Sequence, residues 1–234
     1  MQRRTILLAL GATATVLACG RETPPAPPPA PAAPDGPGMT DSSFGDAIRA
    51  YDRAVMAELA RLPDDRLTPD ERTARTRGTT LSSPAAASDI EALEARIGRR
   101  LPPSFRAFLA TSDGMMFEGA LNQVTLLRAR DVKPLTARDY PGLEEWIAMP
   151  DVAVPLVPEA GGPLPGAALA RAWLISSAED GDAYFMFPDL QTADGEWPVW
   201  FFGPQSPGAY AYRSFAAMFE REREPALRNL TQRR

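Results

Sequence analysis

The chain has 234 residues, a formal net charge of −5, and 44% hydrophobic against 24% charged residues. Such a length and balance suit one medium globular domain with appendages and exclude wholesale disorder. With no His and a single Cys, Ser-His-Asp and Cys-His triads, His-containing zinc sites and intramolecular disulfides are excluded, and the acidic balance argues against nucleic acid.

Residues 1–18 read as an export signal. Arg3 and Arg4 precede an apolar stretch, Ile6 to Leu17, that is too short to span a membrane comfortably. It ends in Val16-Leu17-Ala18-Cys19. Small residues before the chain's one Cys resemble the bacterial lipobox. That resemblance implies cleavage before Cys19, then acylation of its sulfur and new amino terminus, with palmitate as one acyl group. An ordinary secretory signal with an incidental Cys is the plainer alternative. The pair Arg3-Arg4 also resembles a twin-arginine signal, though its flanking residues fit poorly. Cleavage leaves 23 basic and 30 acidic residues, a net charge of −7. Gly20, where an Asp would signal inner-membrane retention in some bacteria, points to the periplasmic face of the outer membrane.

Residues 19–40 then form a tether. Eight prolines between Pro24 and Pro37 cannot build a core and favour polyproline II. At ~3.1 Å per residue the segment spans up to ~60 Å.

The first helical pattern is Phe44, Ile48, Tyr51, Val55, Leu59 and Leu62, on one stripe, with Ser42 or Ser43 as its cap. Residues 64–87 are polar and read as an irregular connector, holding at most a short helix begun by Thr68-Pro69-Asp70-Glu71. Together, 41–87 form an N-terminal helix and connector. Ser88 to Glu91 has capping-box spacing and starts a second helix, carrying Ile90, Leu93 and Ile97 and ending near Gly98. Pro102-Pro103 opens a third, with Phe105, Phe108 and Leu109 inward and Asp113-Gly114 as its stop. Strands are predicted at 123–127, 172–177, 183–187 and 198–202, then a helix from Ser214. Short Asp/Gly turns favour antiparallel pairing. The predicted class is α+β, an antiparallel-rich sheet with helices packed on one side.

The run Ile90 to Leu109, with Leu101-Pro102 and Phe105 and Phe108 in its middle, followed by Ser112-Asp113-Gly114, resembles the SUKH superfamily. So do Trp173-Leu174-Ile175-Ser176, the turn Glu179-Asp180-Gly181-Asp182, the strands after it, and the helix from Ser214 to Phe219. That superfamily includes a fungal cell-wall assembly regulator and bacterial toxin-immunity proteins. The resemblance covers 88–225, leaves 226–234 as a basic tail, and implies a protein-binding module. Leu101, Pro102, Phe105, Phe108, Asp113, Gly114, Trp173 and Gly181 carry the family pattern and are expected to be structural. The proline-rich stretch 135–170 departs from it.

Asp180-Gly181-Asp182 is the strongest acidic cluster, but the strand after it offers no further oxygens for calcium, and turn chemistry explains it. Asp113, Glu118, Asp180 and Asp182 are the carboxylates available for a glycosidase-type pair, with no spacing that demands one. No enzyme activity, cofactor or metal is expected. The expected function is a lipid-anchored envelope protein that binds a protein partner, as a toxin-immunity module. Support of cell-wall assembly is the alternative, and an enzyme acting on envelope glycan comes third. Glu179, Asp180, Asp182, Glu144 and Glu145 are the candidate partner-binding residues, and the membrane is reached through Cys19.

Overall fold

The computed structural model describes residues 41–118, 123–139, 142–153, 164–178, 181–203 and 210–233. The signal, Cys19 and the tether lie outside this set.

Helix α1 (Asp41–Leu59) buries the predicted stripe Phe44, Ile48, Tyr51, Val55 and Leu59, with Leu62 buried just beyond it. It begins at Asp41, so Ser42 and Ser43 fall inside its first turn rather than capping it. The connector holds a 3-10 turn, Asp64–Arg66, and one short α-helix, α2 (Pro69–Arg77). Thr68 and Glu71 form a full capping box at its start, and Gly78 ends it in the left-handed conformation. At α3 (Ala87–Ile97) the Ser88 expectation fails. The cap is Ala86, without a side-chain hydrogen bond, because the helix starts before Ser88. Gly98 closes it with φ of 79°. Pro102 caps α4 (Pro103–Thr111), whose Phe105, Phe108 and Leu109 are fully buried.

Five strands form one antiparallel sheet: β3 (Lys133–Pro134), β6 (Trp173–Leu174), β7 (Ala183–Met186), β8 (Val199–Phe202) and β9 (Tyr210–Tyr212), in that order. The hairpin of β1 (Met115–Glu118) and β2 (Gln123–Leu126) joins its edge through the bridge Leu126↔Ser176. Strands β1, β3 and β9 escape the sequence reading. β1 reads Met-Met-Phe-Glu and is buried throughout, so it lacks the half-buried alternation that marks a strand.

Residues of β7 and β8 alternate between two cores. Tyr184, Met186, Val199 and Phe201 face the long helices. Ala183, Phe185, Trp200 and Phe202 face a second cluster with Leu143, Leu164 and Leu169. The long helices therefore lie on one face. The other face is covered by α5 (Leu143–Ile147), α6 (Gly166–Leu169) and a small hairpin of β4 (Asp151–Ala153) and β5 (Leu164–Pro165). This is where the described part of the proline-rich stretch goes, and it leaves β7 and β8 buried on both faces.

Helix α7 (Phe215–Gln232) is capped by the Ser214 hydroxyl, which accepts the Ala217 amide. It corrects the expectation of a basic tail at 226–234. The helix runs on to Gln232, and Ala226 and Leu230 are buried in the main core. Their spacing of four residues continues the stripe of Phe215, Met218, Phe219 and Glu222.

Candidate functional site

The segment after β2 forms a shaped part of the described surface. Gly114 has φ of 83°, and a Cβ there would stand 2.8 Å from the Leu126 carbonyl oxygen, so β1 can start this close to the end of β2 only at a glycine. The Asp113 carboxylate accepts the Ala129 amide at 2.7 Å, and the Leu127 amide reaches the Ile175 carbonyl at 2.9 Å. Buried Ala129 and Val132 pin the turn from below. Two clefts flank it. One, of about 250 Å³, lies between α2 and the β1–β2 hairpin and is lined by Asp70, Arg77, Asp113 and Arg128. The other, of about 480 Å³, is lined by Arg130, Lys133, Asp139 and Ser177. Asp131 and Leu127 border both. Lys133 pairs with Asp139, whose carboxyl is held below its usual range by hydrogen bonds from Lys133 and Thr136, against some desolvation.

The family-pattern residues divide by location. Leu101, Pro102, Phe105 and Phe108 are buried. Asp113 and Gly114 border the first cleft. Trp173 is half-buried in β6, opposite Met186 on one side and Pro134 on the other. Gly181 has φ of 83°, a conformation that favours glycine just before β7.

Of the candidate acidic residues, Glu179 and Asp180 lie outside the described residues. Glu144 and Glu145 are exposed on α5. Trp146 of the same helix packs its ring 5.4 Å from that of Phe202, and Phe202 pairs with Ala183. Asp182 immediately precedes Ala183 and is half-buried. The tertiary structure thus places α5 and Asp182 at one end of the sheet, although nearly forty residues of chain separate them. Asp113 precedes β1 and accepts the Ala129 amide, whereas Glu118 ends that strand.

Glu118 instead meets Glu71, which is 0% exposed. Glu71 accepts two hydrogen bonds from the Arg233 guanidinium and one from the Thr68 amide. These outweigh its desolvation and hold its carboxyl low. Glu118 is 8% exposed and is pushed up to about 7, by burial first and by the Glu71 charge second. Its partner Gln123 donates at 2.6 Å. The Tyr212 hydroxyl donates to buried Glu222 of α7. The sequence signalled Glu71 through its capping pattern. The pairing with Arg233, 162 residues away, had no local signal.

Among the described residues no group of three or more His, Cys, Asp or Glu is placed to hold a metal ion, and no helix is long and apolar enough to cross a membrane.

An antiparallel sheet backed by long helices, with charged clefts at a pinned turn, makes this an α+β domain. The chain belongs to the SMI1 / KNR4 family (SUKH-1), which matches residues 84–221. Comparison with curated proteins gives no match. Helices α1 and α2 precede the matched region, yet α1 shares its core: Phe44 packs edge-on against Phe215 and Phe219, at 6.1 and 5.6 Å.

Proposed function

We propose that this protein is a lipid-anchored recognition module of the bacterial cell envelope that binds and neutralises a toxin. Membership of the SUKH-1 family over residues 84–221 carries the reading. In this proposal the domain performs no catalytic step. Cys19 supplies the anchor, and several acyl chains at roughly 0.8 kcal/mol per buried methylene make attachment durable. In this reading residues 20–40 serve as the tether, and Asp182, Glu144 and Glu145 contribute acidic partner contacts, to which Glu179 and Asp180 add theirs. The experiment is protection of a sensitive host. Cells expressing the chain are challenged with candidate secreted toxins, any encoded beside its gene being tried first. Survival that depends on the chain supports immunity. Equal killing with and without it, alongside altered wall integrity when the chain is deleted, would favour the cell-wall role. The mass of the mature amino terminus tests the anchor separately: an acylated Cys19 is expected, and a free terminus elsewhere would remove the lipid from the reading.

A further inference from the structure

Helix α2 differs from its neighbours in what holds it down. Only Glu71 and Ala74 are buried in it, where α1 buries a full aromatic and aliphatic stripe. Its attachments are polar. Arg75 donates to the Leu62 carbonyl at 2.9 Å and pairs with Asp64. Arg233, just past α7, binds Glu71 through both terminal nitrogens and the Arg66 carbonyl at 2.6 Å, while Arg66 returns a 2.6 Å bond to the Arg233 carbonyl. Below this latch sits Glu118 of β1. It faces Glu71 from α2, Gln123 from β2 and the Arg233 charge from the end of α7. Thr68 bonds Gln123 at 3.0 Å, and the Tyr51 hydroxyl of α1 donates to the Glu118 carbonyl at 2.7 Å. Tyr51 itself also feels the charge of Glu222 on α7.

With Glu118 protonated, the trio of Glu71, Glu118 and Arg233 is neutral. With Glu118 ionised, two buried carboxylates share one guanidinium, and the excess negative charge is desolvated. Tyr51 adds no charge to this group, since burial and Glu118 keep its phenol neutral far above physiological pH. We propose that α2 is a strap latched over the β1–β2 hairpin by the Glu71–Glu118–Arg233 cluster, and that loss of one proton from the cluster loosens it. Opening of the strap widens the cleft it borders beside Arg77 and Asp113. This inference stands apart from the toxin-immunity reading and needs no partner.

The test is amide hydrogen exchange of the full chain at pH 6 and pH 8, with rates corrected for the intrinsic effect of pH. Because Glu118 titrates near 7 in the closed state and near its ordinary value once exposed, protection of α2 should fall about tenfold over that interval. Helix α4 should keep its protection. Glu118→Gln, of the same shape and uncharged, should leave α2 equally protected at both values, and Arg233→Gln should lower its protection at both. Protection of α2 that does not change with pH in the wild-type chain would overturn the proposal. So would an equal loss in α4, or the same pH response in Glu118→Gln. Should that variant fail to fold, the wild-type comparison of α2 with α4 decides alone.

Discussion

The hydroxyl of Ser104, in the first turn of α4, donates a 2.7 Å hydrogen bond to Glu196, and the Ser104 amide reaches the same carboxylate at 2.9 Å. The two residues are 92 positions apart. Glu196 thus satisfies the free amide end of α4, which Pro102 cannot cap with a side chain. It also ties the helical layer to the loop entering β8. Replacing Glu196 by Ala should cost about 1–2 kcal/mol, the worth of a helix cap plus an unsatisfied hydroxyl. Urea denaturation measures it, and an unchanged midpoint would show that α4 does not depend on this cap.

Phe108 lies at the centre of an aromatic cluster. Its ring stacks on Phe105 at 5.8 Å and meets Phe215 at 4.9 Å. Phe108→Ala should lose ~3–5 kcal/mol by opening a cavity between α4 and α7. A stable variant that merely lost a binding partner would mean that the residue is not a core member.

Two glycines with the same backbone conformation should respond differently. Gly98 and Gly114 have φ of 79° and 83°. A Cβ on Gly98 meets nothing within 4 Å, whereas on Gly114 it meets the Leu126 carbonyl at 2.8 Å and the Arg128 side chain at 3.2 Å. Gly98→Ala should therefore cost only the left-handed penalty, about 1–2 kcal/mol. Gly114→Ala should cost clearly more and should disturb the turn at 127–131. Equal melting temperatures for the two variants would contradict the packing at β1.

Stability should peak at mildly acidic pH. Glu71 has a lowered pKa in the fold, so its contribution is present above the ordinary glutamate value and is lost as pH falls through the folded one. Glu118 is raised to about 7, so its ionisation opposes folding progressively from about pH 4.5 to pH 7. The second effect amounts to at most roughly 3 kcal/mol. Glu196, also raised by burial, acts in the same direction. Denaturation midpoints across pH 4–8 should show the maximum, and Glu118→Gln should flatten the neutral side. A wild-type profile that rises steadily to pH 8 would refute it.

The sequence by itself determined the elements whose signals are local. The stripe from Phe44 to Leu62, the aromatic face of α4, the glycine stop at Gly98 and the paired strands at 173–174 and 183–186 were all legible. Each rests on side-chain periodicity or on a backbone angle that one residue type adopts freely. The family itself was legible for the same reason, since its pattern is a string of such local signals between Ile90 and Phe219.

What only the tertiary structure decided depends on long-range contact. The stretch 135–170 looked loose because its helices are of four and five residues, too short to show a period. It becomes ordered where it covers Phe185, Trp200 and Phe202, and no window of sequence contains that face. The end of α7 looked like a charged tail because arginines outnumber its two buried apolar residues. Its place is set by the core beneath Ala226 and Leu230 and by Glu71 beside Arg233. The same holds for Glu118, which ends a strand that the sequence does not mark. Its chemistry comes from burial against a second carboxylate, and burial is a property of the folded chain.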